Sequence, residues 1–133
     1  MGRLIGVFCV LVLLAACAKP KTSLHASDPG DVLYGRYCRA CHQQNGTAAA
    51  NGWPALSGSA VVNGDPKVLA LWVMYGIQPT ASGPGVYPPR MPAYATLKDE
   101  ELAVLLTYVR SHFKNSAEAV DLDLIKKIRV EHP

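Results

Sequence analysis

The sequence has no apolar run long enough to cross a bilayer as a helix, which takes about 20 residues; the run at residues 4–16 has thirteen. It also has no internal repeat, no strand-type alternation, and no Ser/His/Asp set, paired carboxylate site or phosphate-binding loop. Neither sign of charge is in large excess, because the chain has 13 Lys and Arg against 10 Asp and Glu. Nothing therefore indicates a hydrolytic site or a nucleic-acid partner.

Cysteine is also scarce, and the positions of the four cysteines are informative. Cys9 and Cys17 lie in the N-terminal segment, whereas Cys38 and Cys41 form a C-x-x-C-H motif with His42. This motif is the attachment site of a c-type haem, in which the thiols bond the porphyrin and the imidazole binds the iron. A zinc half-site, a redox dithiol or a disulfide are the alternatives. Zinc would need a second Cys/His pair, and the other two cysteines both lie in the N-terminal segment. We therefore predict one covalent haem c.

The N-terminal segment has the pattern of an export signal, with a basic residue, Arg3, followed by the apolar run. The run ends in Leu-Ala-Ala-Cys, with the cysteine at position 17. This ending resembles the lipobox of bacterial lipoproteins, whose cleavage leaves a lipid-modified Cys. Simple cleavage after Ala16 or Ala18, with no lipid, is the alternative.

These features predict an exported protein on the periplasmic side of a bacterial membrane, held there by acyl chains on Cys17. The polar stretch that follows has no apolar period and suits a tether. The predicted division is a lipoprotein signal peptide at 1–16, a tether at 17–27 and one haem-binding domain at 28–133.

Four helices are predicted after the tether. Asp28 with Pro29, and Asp65 with Pro66, are start signals, and Gly76 suits a left-handed helix end. On the last helix, the Lys126, Lys127 and Arg129 side chains are expected on the solvated side. The predicted helices are 29–38, 66–75, 96 or 98 to 113, and 121–130, with loops at 43–64 and 77–94.

The helical part resembles a class I cytochrome c domain, in particular the single-haem domains of alcohol and aldehyde dehydrogenase cytochrome subunits. Gly30 and Tyr34 match positions on the first helix of that family, and Leu105 with Tyr108 match the L-x-x-Y of its C-terminal helix. The resemblance implies an all-α fold with three main helices and a short C-terminal helix around one haem. It also implies that these four residues form the crossing of the two terminal helices.

The resemblance implies that the sixth iron ligand comes from the loop before the long helix. Met91-Pro92 matches the family's M-P motif, and a Met thioether favours Fe(II) and raises the potential. Met74 is the rival, but it has the apolar spacing of a core residue. His112 and His132 are expected to be solvated.

Two further site residues follow from the resemblance. Pro54 matches the family's proline loop, whose carbonyl accepts the Nδ1–H of the proximal His, here His42; an ordinary turn proline is the alternative. Trp53 and Leu56 would then pack at the porphyrin edge. Arg90 is a candidate for pairing a haem propionate, or else a solvent-exposed side chain.

The sequence thus predicts an electron-transfer protein of a respiratory or dehydrogenase chain, not an enzyme. With His42 and Met91 both bound, the iron has no open position for substrate. The expected partners are a membrane, through the lipid, and a dehydrogenase, reductase or oxidase. A haem protein that binds small ligands or reduces peroxide is the alternative, and a subunit permanently docked to a dehydrogenase is a third.

Overall fold

The computed structural model describes residues 27–47, 53–76 and 91–133. These ranges contain helices and no strands, so the all-α prediction is confirmed. The predicted signal peptide, the lipid site at Cys17, nearly all of the tether, and Arg90 lie outside the described residues. No helix in the described ranges has the length and apolar character needed to cross a membrane. The helices are α1 (Pro29–Tyr37), α2 (Arg39–His42), α3 (Ala60–Asn63), α4 (Pro66–Tyr75), α5 (Asp99–Ser111) and α6 (Leu122–Glu131).

Helix α1 begins at the predicted start signal. The Asp28 carboxylate accepts a hydrogen bond from the Gly30 N–H at 2.8 Å, and Pro29 occupies the first turn, where its missing N–H costs nothing. The helix ends at Tyr37, and after a turn at Cys38 the chain continues directly into the one-turn helix α2. The attachment motif is therefore fixed to the end of a well-capped helix.

Helices α1 and α5 cross at the four residues that the resemblance assigned. A Cβ at Gly30 would overlap the Tyr108 Cβ, so only glycine allows this approach. Tyr34 and Leu105 are almost fully buried, and the rings of Tyr34 and Tyr108 lie 5.9 Å apart. The Tyr34 hydroxyl also donates to the Gln43 carbonyl at 2.6 Å, just after α2. The crossing thus sets the position of the attachment motif.

Helix α4 has the predicted ends. The Asp65 side chain accepts from the Lys67 N–H at 2.8 Å, and Gly76 ends the helix in the left-handed region at φ 66°. The Gly76 N–H donates to the Trp72 carbonyl at 2.8 Å. The segment that begins at Met91 then runs beside this end, because the Tyr94 N–H donates to the Val73 carbonyl at 2.9 Å.

Several details of the predicted helices were wrong, including the end of the first helix, which is Tyr37 and not residue 38, and the one-turn helix α2, which was not predicted. The loop predicted at 43–64 contains α3, whose start is capped by the Ser59 hydroxyl. Helix α5 stops before the predicted residue 113, because Phe113 and Lys114 have φ values of 57° and 65° that no α-helix can hold. Helix α6 is shifted by one residue from its predicted bounds.

The sequence analysis placed Arg129 on the solvated side of the last helix, and this prediction was wrong. Its guanidinium donates to the Asp99 carboxylate at 2.7 Å and to the carbonyls of Ala95 and Leu97 at 2.6 and 2.8 Å. A planar group with several donors can satisfy one carboxylate and two carbonyls together. Arg129 therefore joins α6 to the start of α5, while Lys126 and Lys127 are exposed as predicted.

Candidate haem site

An apolar cavity of about 310 Å³ lies between α2, α4, α5 and the loop at 53–56. Cys38 and His42 lie in its wall on one side, and Met91 also lines it. Trp53 and Leu56, both predicted at the edge of a porphyrin, line it as well. Trp72 is half-buried in the same wall. The described structure thus brings a thiol, an imidazole and a thioether to the wall of one apolar cavity.

His42 is held by a single hydrogen bond to the loop at 53–56. Its Nδ1 lies 3.0 Å from the Pro54 carbonyl oxygen, and the ring is 5% exposed. A carbonyl only accepts, so the proton is on Nδ1 and Nε2 keeps a free lone pair. Burial lowers the pKa of His42, partly offset by the Pro54 carbonyl, which favours the neutral imidazole that can bind a metal. This is the pairing implied by the resemblance; its role at a haem stays a prediction.

Cys38 is in an environment unlike that of a reactive or redox thiol. Cys38 is buried and Cys41 half-buried, and both are free. Burial, with a smaller effect from Cys41, raises the pKa of the Cys38 thiol to about 12. Reactive and redox cysteines instead have lowered pKa values. Among residues 27–47, 53–76 and 91–133, no three His, Cys, Asp or Glu side chains come together as a metal site of the zinc type.

The two methionines differ in position, as the sequence suggested. Met74 is completely buried among the side chains of the core and does not line the cavity, whereas Met91 is half-buried in its wall. His112 and His132 are exposed. Met91 is thus the methionine placed to face a group bound in the cavity, and its role as iron ligand stays a prediction.

These residues fit a covalently bound haem. The cavity wall is apolar, as a porphyrin requires, and its one buried imidazole is oriented by a carbonyl. Cys38, which precedes α2, and Cys41, which lies on it beside His42, are spaced for two thioether bonds. The fold and the site together define a small all-α haem-binding domain.

Comparison with known proteins gives the family. The Cytochrome c family model matches residues 27–113, well over half of the chain, and the protein belongs to the cytochrome c family. Members of this family carry covalent haem c, so the prediction of this cofactor is confirmed, with Cys38 and Cys41 fitting its attachment positions.

Several relatives can be aligned with the chain. It is 29% identical over 119 residues to the fructose dehydrogenase cytochrome subunit of Gluconobacter japonicus, covering 84% of this chain and 24% of the relative. It is 33% identical over 105 residues to the cytochrome c subunit of the quinone alcohol dehydrogenase of Gluconobacter oxydans, covering 75% and 22%. Cytochrome c-552 of Thermus thermophilus is 34% identical over 89 residues, covering 63% and 60%. The chain thus spans about a quarter of each dehydrogenase subunit.

Some residues that shape the site were missed by sequence reasoning. Asn115 is 6% exposed and ties the loop that contains Pro54 to the end of α5. Arg110 is 4% exposed and donates to the carbonyls of Val62 and Gly64 at 2.8 and 2.9 Å. A polar residue within or just after an apolar helix was the only available signal, and it does not reveal a partner some 50 residues away.

Proposed function

We propose that this protein is an electron carrier whose haem iron is bound by His42 and Met91, and not an enzyme. The observation that carries the proposal is that both residues line one apolar cavity together with Cys38. When bound there, haem c supplies an iron that alternates between Fe(III) and Fe(II). With His42 and Met91 both holding the iron, no position would be left for a substrate, which would favour outer-sphere electron exchange over substrate chemistry.

The residues of the chain have distinct tasks in this proposal. Cys38 and Cys41 hold the porphyrin covalently, so the carrier keeps its cofactor through many oxidation cycles. Pro54 keeps the proton of His42 on Nδ1 and so leaves Nε2 free for the iron. The apolar wall excludes water, and the Met91 thioether stabilises Fe(II) and raises the potential.

The redox partner that we propose is a dehydrogenase. Two of the relatives are named as cytochrome subunits of a fructose dehydrogenase and of a quinone alcohol dehydrogenase. The match to each lies within about a quarter of its length, so this chain corresponds to one module of such a subunit. Purification from detergent-solubilised membranes tests this proposal. Co-purification of a dehydrogenase supports it, and a stable complex with an oxidase or reductase alone contradicts it.

Replacing each methionine in turn tests the function. We expect Met91→Ala to keep its covalent haem, lose the weak ferric sulfur-to-iron band at the red edge of the visible spectrum, have a lower potential and bind cyanide faster. Met74→Ala is the control. It should keep that band but lose about 2–5 kcal/mol of unfolding free energy, because Met74 is fully buried.

Two results would contradict the proposal. Loss of the band in Met74→Ala with its retention in Met91→Ala would make Met91 a structural residue. A wild-type ferric spectrum that is high-spin and has no such band would indicate an open sixth position, and hence a protein that binds small ligands or reduces peroxide.

We further propose that the protein is exported and anchored on the periplasmic side of a bacterial membrane by lipid on Cys17. The support is the apolar run with its Leu-Ala-Ala-Cys ending. We expect Cys17→Ser to move the protein from the membrane fraction, because acyl chains and not a helix would hold it. Cys9→Ser, which lies within the predicted signal, is the matched control. A processed Cys17→Ser protein that stays on membranes at high salt would contradict the anchor.

A further inference from the structure

Tyr94 connects the segment that carries Met91 to two helices of the site. Its hydroxyl donates to the Tyr37 carbonyl at 2.8 Å, and its N–H donates to the Val73 carbonyl at 2.9 Å. Its ring meets the Tyr37 ring edge-on, with the centroids 5.7 Å apart. Tyr94 is therefore fixed at its backbone, its ring and its hydroxyl, three residues after Met91.

The Tyr94 hydroxyl makes its contact at the C-terminal end of α1. Tyr37 is the last residue of α1, where a helix provides no partner for its own carbonyls. The next residue, Cys38, begins the haem attachment motif. The Tyr94 hydroxyl thus links the segment that carries Met91 to the segment that carries His42, through two residues that are 57 positions apart in sequence.

The same segment is held a second time at the end of α4. A Cβ at Gly76 would lie 2.9 Å from the Met91 carbonyl oxygen, so the chain at Met91 passes directly over this glycine. The contact with Gly76 fixes where the Met91 backbone lies, whereas the Tyr94 hydroxyl ties the segment to the end of α1. Residues 91–94 therefore bridge α4 and α1.

We propose that Tyr94 is a positioning residue that keeps Met91 in the wall of the haem cavity, by tethering its segment to the end of α1. The inference rests on the proposed role of Met91 as sixth ligand. A segment opens locally when few contacts hold it, and each lost contact raises the population of the open form. Without the hydroxyl tether, Met91 leaves the iron more often.

The test compares two Tyr→Phe variants of the haem-loaded protein by their rates of imidazole binding to the ferric form. Tyr94→Phe keeps the ring and removes only the tether. Tyr75→Phe is the matched control, because the Tyr75 hydroxyl also donates to a backbone carbonyl, that of His132 at 2.7 Å, away from the cavity. We expect roughly two- to tenfold faster binding in Tyr94→Phe, the range that follows from losing one hydrogen bond, and an unchanged rate in Tyr75→Phe.

Amide hydrogen exchange provides a second readout that does not depend on the bound imidazole. In Tyr94→Phe, the N–H of residue 94 should exchange faster, while that of Leu105 in the core of α5 should not change. Equal acceleration at both positions would mean general destabilisation and would overturn the proposal.

The remaining outcomes separate this proposal from the ligand assignment. An unchanged imidazole rate in Tyr94→Phe, or the same acceleration in Tyr75→Phe, overturns the tether. If Met91→Ala keeps the sulfur-to-iron band, the ligand assignment itself fails. If Met91→Ala loses the band and Tyr94→Phe binds at the wild-type rate, only the role of Tyr94 is wrong.

Discussion

Asn115 uses its whole hydrogen-bonding capacity to hold the loop beside His42. Its Nδ2 donates to the carbonyls of Leu56 and Val109 at 3.1 and 2.9 Å. Its Oδ1 accepts from the Gly58 N–H at 2.9 Å and from the Asn63 amide at 2.8 Å. An amide has two donors and two acceptor positions, so all are satisfied. One buried side chain therefore joins this loop to α3 and to the C-terminal part of α5.

We expect Asn115→Ala to lower the free energy of unfolding by roughly 2–4 kcal/mol, because each buried group left without a partner costs about 1–3 kcal/mol. Denaturant unfolding of the haem-loaded protein measures this. Asn45→Ala is the control, since the Asn45 side chain is exposed and accepts a hydrogen bond from its near neighbour Thr47. Equal stability losses in the two variants would show that Asn115 does not have this role.

At the scale of the elements, the α1–α5 crossing depends on Gly30, which has no side chain. Gly30 packs against Tyr108, whose hydroxyl donates to Asp31 on α1 at 3.0 Å. The burial of Tyr108, together with this hydrogen bond, raises its pKa to about 12, so the phenol stays protonated at ordinary pH. The close approach and the hydrogen bond hold the two helices in one register.

We expect Gly30→Ala to destabilise the protein by about 1–3 kcal/mol, because the new methyl group must push α1 away from α5. Gly35→Ala, on the same helix, is the matched control. Its Cβ would meet only the end of the flexible Arg39 side chain, and alanine is a better helix former than glycine. Thermal unfolding should therefore show a lower midpoint only for Gly30→Ala. A midpoint lowered equally by Gly35→Ala would contradict the close-approach account.

The elements also show which parts of the fold the sequence could predict. Helices α1 and α4 begin at an Asp cap followed by Pro, so their starts were predicted correctly, whereas α6 was predicted to begin at Asp121, which is its cap. Helix α3 was missed because it has four residues, two of them Val, and no apolar period. The early end of α5 depends on positive φ values at Phe113 and Lys114, which their residue types do not signal.

The site divides in the same way. Cys38, Cys41 and His42 form a local motif, so spacing alone gave them, whereas Pro54 and Met91 needed the resemblance to a family. The contacts of Tyr94 and Asn115 join residues 57 positions apart, and only the folded chain brings these partners together.

At the scale of the whole molecule, the described helices pack around both a hydrophobic core and an apolar cavity beside it. A covalently bound porphyrin would fill this space of about 310 Å³ and pack against its apolar wall. The stability of the protein and its haem are therefore linked in this account, because the cofactor completes the core that the helices surround.

Whether Cys38 and Cys41 hold the haem covalently is tested most directly by haem staining after denaturing electrophoresis. The protein is produced alongside a c-type haem attachment system. Cys38→Ala/Cys41→Ala is compared with the wild type, and Cys17→Ser is the control because it lies outside the attachment motif. We expect stained bands for the wild type and for Cys17→Ser and none for the double variant, since neither remaining cysteine belongs to the motif. An unstained wild type, or a double variant that keeps its stain, would contradict it.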